Sequence, residues 1–211
     1  MNDGPVSRPR LRPGAGPFAA TGVSGFSLVE LMLAVGIMLT MSAIALGMTK
    51  HMVERYRAAG AARYMAARLQ RARAEAIARG ANVALSFTSA GDRIGFRAFL
   101  DGNRNGVLSA DIADGVDVEV TPMDDLASFP GVSFGMMPGL VAPDGEVLSG
   151  ADPIRFGAAR LASFTPRGTA TSGSLYISGA GLEQYVVRVY GDTGKTYILR
   201  FDVGRRAWMP L

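Results

Sequence analysis

The sequence predicts an α+β fold, in which one long N-terminal α-helix packs on an antiparallel, β-rich globular head, and three observations carry that expectation. No residue from 31 to 49 is charged, and the stretch 50–79 is rich in Ala, Arg and Met and contains no proline. Beyond Gly80 the pattern changes to short β-branched and aromatic runs broken by Gly, Asp, Pro and Ser. In the last of these runs apolar residues alternate with period two, as a half-buried sheet requires.

The elements follow in order. Residues 31–49 would rise about 28 Å as a helix, close to the thickness of a bilayer core, so this segment is expected to span a membrane. Glu30 stands at its edge. A carboxylate at mid-bilayer costs roughly 2.5–3.5 kcal/mol, so Glu30 should sit near an interface or meet a positive partner. Arg8, Arg10 and Arg12 against Asp3 favour a cytoplasmic N-terminus. The high helix propensity of 50–79 continues the helix beyond the membrane. Met52, Tyr56, Ala59, Ala62, Ala66, Leu69, Ala76 and Ile77 recur mostly at spacings of three and four and form a stripe suited to packing on a sheet. Arg55, Arg57, Arg63, Arg68, Arg71, Arg73 and Arg79 fill much of the rest. Gly80 is placed to cap the helix, and Gly60 is a weak point inside it.

Strands are expected at 82–88, 93–100, 116–121, 132–135, 161–165, 174–178, 184–190 and 196–203. The last three read as a meander. Leu175 and Ile177, then Tyr185, Val187 and Val189, then Tyr197, Leu199 and Phe201 alternate, offering one face of a sheet to the helix stripe. Residues 122–153, rich in Pro, Gly and Asp, read as long loops.

Gly25-Phe26-Ser27-Leu28-Val29-Glu30-Leu31, followed by the apolar run, resembles the signal of the type IV prepilin family at every position. The resemblance implies cleavage by a prepilin peptidase between Gly25 and Phe26 on the cytoplasmic side, and N-methylation of Phe26. It also implies that Glu30 meets the Phe26 amine of a neighbouring subunit during filament assembly, the positive partner that the membrane argument calls for. Phe164-Thr165-Pro166-Arg167-Gly168-Thr169-Ala170 with Gly173-Ser174-Leu175-Tyr176-Ile177 is similar to a late segment of the GspH/FimT-like minor pseudopilins. Phe99-Leu100-Asp101-Gly102-Asn103-Arg104-Asn105-Gly106 resembles their Asp/Asn-rich turn.

Enzyme chemistry finds little support. The chain has no cysteine, which removes disulfides, thiolate metal sites and a Cys nucleophile. Its only histidine, His51, falls at the expected membrane exit beside Lys50. Asp124 and Asp125 have no recognisable acid–base partner. Gly191-Asp192-Thr193-Gly194-Lys195-Thr196 fails as a phosphate loop, because Val189 stands where the first glycine belongs and the segment joins two strand patterns. The expectation is therefore a protein that is not an enzyme and requires no cofactor.

Two binding chemistries stay open. Asp101, Asn103 and Asn105 followed by Gly106 match the first half of a calcium loop, but Ile112 occupies the twelfth position, so Asp111 or Asp114 would have to substitute. The alternative is a polar turn capped by its own Asp and Asn side chains. The charge is also uneven. Residues 26–80 hold eight Lys/Arg against three Glu, whereas 81–211 hold eleven basic against fourteen acidic residues. The basic stalk, together with Arg205 and Arg206 near the C-terminus, could neutralise nucleic-acid phosphates; a solvated basic face touching acidic neighbours is the alternative.

These readings divide the chain into a leader (1–25), a membrane segment (26–49), the outer part of the helix (50–80) and a β-rich head (81–211). Small residues Ala34, Gly36, Ser42, Ala43 and Gly47 would permit close helix approach in a bilayer. The resemblance implies a minor pseudopilin of a type II secretion system, anchored once in the bacterial inner membrane with its head in the periplasm. Its partners would be other pseudopilins or pilins, the prepilin peptidase and the inner-membrane assembly platform. A FimT-like minor pilin of a type IV pilus, priming assembly or taking up DNA, is the alternative that the same residues allow.

Overall fold

The computed structural model describes residues 25–148 and 152–211, with side chains throughout except at 45–51 and 90. The described residues fall into two compact units divided after Ile44. The expected leader, residues 1–24, lies outside the described residues.

Helix α1 (Leu28–Arg79) opens at Ser27, whose carbonyl accepts the Leu31 N–H at 3.1 Å and whose hydroxyl accepts the Val29 N–H at 3.3 Å. Every residue from 25 to 44 is exposed, including Leu31, Leu33, Ile37, Leu39 and Ile44. Among the described residues no helix is long and apolar enough to cross a membrane.

The second unit is a head of two antiparallel sheets with the remainder of α1. Its strands are β1 (Val83–Ala90), β2 (Arg93–Leu100), β3 (Val118–Asp124), β4 (Ser133–Phe134), β5 (Ile154–Arg155), β6 (Leu161–Phe164), β7 (Gly173–Ser178), β8 (Gln184–Tyr190), β9 (Lys195–Asp202) and β10 (Ala207–Pro210). A short helix, α2 (Ser109–Ala113), lies between β2 and β3. One sheet runs β3-β2-β1-β6 and the other β10-β9-β8-β7-β4, with β5 also paired to β7. The expected meander is present as β7-β8-β9. The expected single sheet is instead two, and β5, β10 and α2 were not anticipated.

The helix stripe is as expected at Ala59, Ala62, Leu69 and Ala76 and departs from it elsewhere. Ala58, Ala61, Ala62, Met65, Leu69, Ala72 and Ala76 are buried, whereas Met52, Tyr56 and Ile77 are exposed. The reason is steric. Alanines let the backbone of α1 approach the strands closely enough to touch both sheets, which larger side chains at those positions would prevent. Gly60, read as a weak point, receives Phe129, whose Cε1 would lie 3.2 Å from an added Cβ. Gly80, with φ of +63°, ends the helix as expected.

One core joins α1 to Val83, Leu85, Phe87, Phe96, Phe164, Leu175, Ile177, Tyr185, Val187 and Val189. Here β9 departs from the sequence reading. Ile198 pairs with Val187, and directly opposed residues share a face, so Ile198 turns toward the helix core. Leu199 and Phe201 face away, with Tyr176, Val186 and Trp208, under a cover formed by Leu140, Ala142 and Leu148. The outer face of the first sheet is covered likewise, where Ala84, Phe99 and Leu161 pack against Val107 and Ile112.

Candidate functional site

Three anchors tie α1 to the loops and strand ends of the head, and none was singled out from the sequence. In the first, the Tyr64 hydroxyl and Arg68 Nη2 both donate to the Asp124 carboxylate at the end of edge strand β3. Arg68 also donates to the Tyr64 hydroxyl, from Nη2 at 2.7 Å and Nε at 3.0 Å, with its guanidinium 5.0 Å from the ring centroid. Burial pushes the Asp124 carboxyl up, but these hydrogen bonds and the Arg68 charge outweigh it and hold the group below the ordinary range. Asp125 turns outward, near Arg93, and caps the Ala127 N–H at 2.8 Å. In the second anchor, Gln70 Nε2 donates to Thr196 Oγ1 at 2.6 Å. In the third, Arg73 Nε donates to the Gly168 carbonyl at 2.9 Å. Arg68 and Arg73 are thus part of the interface, while Arg55, Arg57, Arg63, Arg71 and Arg79 remain exposed. The i, i+4 spacing of Tyr64 and Arg68 was the available signal for the first anchor.

The residues expected to bear function are spread along the chain. Gly25 and Phe26 precede the first turn of α1; Phe26 is exposed, and among the described residues nothing lies within 4 Å of a Cβ built on Gly25. Glu30 occupies the first helical turn, where a carboxylate complements the positive helix end. The side chain of His51 lies outside the described residues.

Asp101, Asn103 and Asn105 do share one turn, and its Asp101 and Asp117 carboxylates each accept N–H groups on both oxygens. Asp101, buried, accepts the N–H groups of Asn103 and Arg104 on Oδ1 at 3.2 and 2.6 Å, and those of Gly106 and the Asn82 amide on Oδ2 at 2.9 and 2.7 Å. Buried Asp117 accepts Gly102 and Leu108 N–H groups at 3.1 and 3.0 Å. The Asn103 and Asn105 amides both donate to Asp111 Oδ2. Four N–H donors converge on the Asp101 carboxylate and hold it ionised against the cost of its burial. The N–H donors thus satisfy the Asp101 carboxylate without a cation. Among the described residues no group of three or more His, Cys, Asp or Glu side chains converges to hold a metal ion. The turn instead fixes the path from β2 to α2.

Arg205 and Arg206 stand exposed in the turn between β9 and β10, where the Arg205 N–H bonds Asp202 Oδ1 at 3.0 Å. The 191–194 segment is a hairpin turn between β8 and β9, as expected, and Gly194 N–H bonds the Tyr190 carbonyl at 2.7 Å.

A family model described as type II transport protein GspH matches residues 61–193, from the buried face of α1 to the turn after β8. The chain belongs to this family. No curated protein and no solved structure matches it. The GspH family is one of structural pseudopilins and not of enzymes, and membership supports a pseudopilin-like role in type II secretion together with contact with other pseudopilins. The GspH match takes in all three helix anchors on the α1 side, both the 101–117 turn and the 165–168 turn, while Gly25, Phe26, Glu30, Arg205 and Arg206 fall outside it.

Proposed function

We propose that the chain is a minor pseudopilin, a structural subunit of the periplasmic filament of a type II secretion system. The carrying observation is the GspH match over 61–193, joined through helix α1 to the prepilin-like residues Gly25 to Leu31. On this reading a prepilin peptidase cuts after Gly25, the Phe26 amine is methylated, and the apolar segment anchors the protein once in the inner membrane with the head in the periplasm. A helix that exposes Leu28, Val29, Leu31, Met32, Leu33, Ile37, Leu39 and Ile44 is poorly matched to water and well matched to lipid or to the corresponding helices of neighbours. Glu30 would set axial register by pairing with a neighbour's Phe26 amine, because a misaligned charge in low dielectric is heavily penalised.

The test is the culture-supernatant proteome of a clean deletion, compared with the parent and a complemented strain. Selective loss of folded, signal-peptide-bearing proteins from the medium, with their accumulation in the periplasm, supports the proposal. An unchanged supernatant overturns it and moves the role to a FimT-like minor pilin of a type IV pilus, with assembly priming or DNA uptake as its output.

A further inference from the structure

The outer face of the second sheet holds a polar cleft that neither the helix anchors nor the filament role uses. Arg155 pairs with Ser174, Ser174 with Arg188 and Arg188 with Tyr197, so four strands contribute one cross-strand row to that face. Tyr176, two residues beyond Ser174, extends the same face, and the cleft has a volume of about 260 Å³. Two carboxylates of the covering loop reach over its rim. Glu146 grips the Arg155 guanidinium at 2.7 and 2.8 Å, and Asp144 takes Arg188 at 2.9 Å.

The floor carries the decisive feature. Tyr176 is 2% exposed and Ser174 8% exposed, both line the cleft, and neither hydroxyl bonds a described residue. Both hydroxyls therefore open onto the cleft surface, where a hydrogen-bonding occupant can meet them in place of water. Tyr190 also lines the cleft, half exposed, with Tyr197 edge-on against it at 5.3 Å between centroids.

We propose that this cleft binds a saccharide. Each guanidinium is matched by a carboxylate, so the site as a whole favours neither an anion nor a cation. Its donors and acceptors alternate over a short distance, which suits sugar hydroxyls, since each of these both donates and accepts. The C–H face of a pyranose can rest on an exposed tyrosine ring. A peptide is less well served. Strand β7 is paired by β8 on one side and by β4 and β5 on the other, β8 by β7 and β9, and β9 by β8 and β10, so the three longer strands of the floor offer no free edge for backbone pairing and β5 is only two residues long.

Trp208 is the only tryptophan and its ring lies 6.2 Å from that of Tyr176, which makes its fluorescence a local reporter. The experiment titrates the full chain, in a zwitterionic detergent without a sugar headgroup, with chitotriose and separately with maltotriose, and repeats each titration by calorimetry. Saturable binding of either sugar is expected. Tyr176→Phe and Ser174→Ala, which keep the packing, should each weaken it, together by roughly ten-fold or more, with unfolding curves unchanged. No saturation with either sugar overturns the proposal, as does binding that both variants leave intact. Binding of a charged peptide in place of the sugars also overturns it and assigns the cleft to a protein partner.

Discussion

Arg73 of α1 and Gly168 of the turn after β6 are joined by a 2.9 Å hydrogen bond, and a third residue guards it. Gly194 has φ of +61°, and a Cβ there would stand 2.2 Å from the Gly168 oxygen and 2.7 Å from Arg73 Nε. The helix therefore docks at a point where two turns close on one guanidinium. Gly194→Ala should combine left-handed strain of about 1–2 kcal/mol with displacement of the Arg73 bond. Gly181, with φ of +72° and nothing within 4 Å, isolates the strain alone. Urea unfolding should show Gly194→Ala losing clearly more stability than Gly181→Ala; equal losses would remove the docking role of Gly194.

The Asp124 anchor carries a pH signature. Its folded carboxyl titrates below the ordinary value, so the stabilisation is fully present above the unfolded pKa of about 4 and is lost as pH falls through the lower folded value. Asp124→Asn should cost on the order of 1 kcal/mol at neutral pH and little at pH values below the folded titration. Unfolding free energies of both proteins at neutral and at acid pH check this. A variant penalty that does not shrink in acid would show that the ionised carboxylate is not the source.

Asp101→Ala would leave four N–H donors without their acceptor, and the cost should be about 2–3 kcal/mol or more. Millimolar calcium should leave the melting temperature of the wild type unchanged, because the same donors occupy the carboxylate. A ligand present at a hundred times its dissociation constant would stabilise the fold by about 2.7 kcal/mol, so a clear upward shift with calcium would reinstate the metal site.

Glu30→Val should be inserted and processed yet assemble poorly, read as a loss of filament cross-links at normal abundance. Normal assembly of this variant would contradict the register role of Glu30. Gly25→Ala should retain the leader, and an unchanged mature mass by intact-protein mass spectrometry would refute cleavage at that bond.

Several features were legible in the chain itself. The absence of proline and the Ala/Arg-rich composition of 50–79 specify a helix, Gly80 ends it, and the alternation in 174–201 specifies strands, because these signals depend on neighbours within a few residues. The prepilin-like residues 25–31 are local in the same sense. Register is not. Whether Ile198 or Leu199 faces the helix is set by the Val187–Ile198 pairing across the sheet, and a slip of one residue reverses every side chain.

The sequence by itself thus determined the α+β class, the long helix with its cap and the family likeness, since propensity and periodicity act at short range. Only the tertiary structure decided that the helix face is shared between two sheets and takes in Ala58, Ala61 and Ala72 as well. It also decided that the Asp101 turn is satisfied by N–H donors, and that Arg155, Ser174, Tyr176 and Arg188 meet in one cleft. Those outcomes depend on contacts between residues far apart in the chain, where packing and hydrogen-bond satisfaction override local preference.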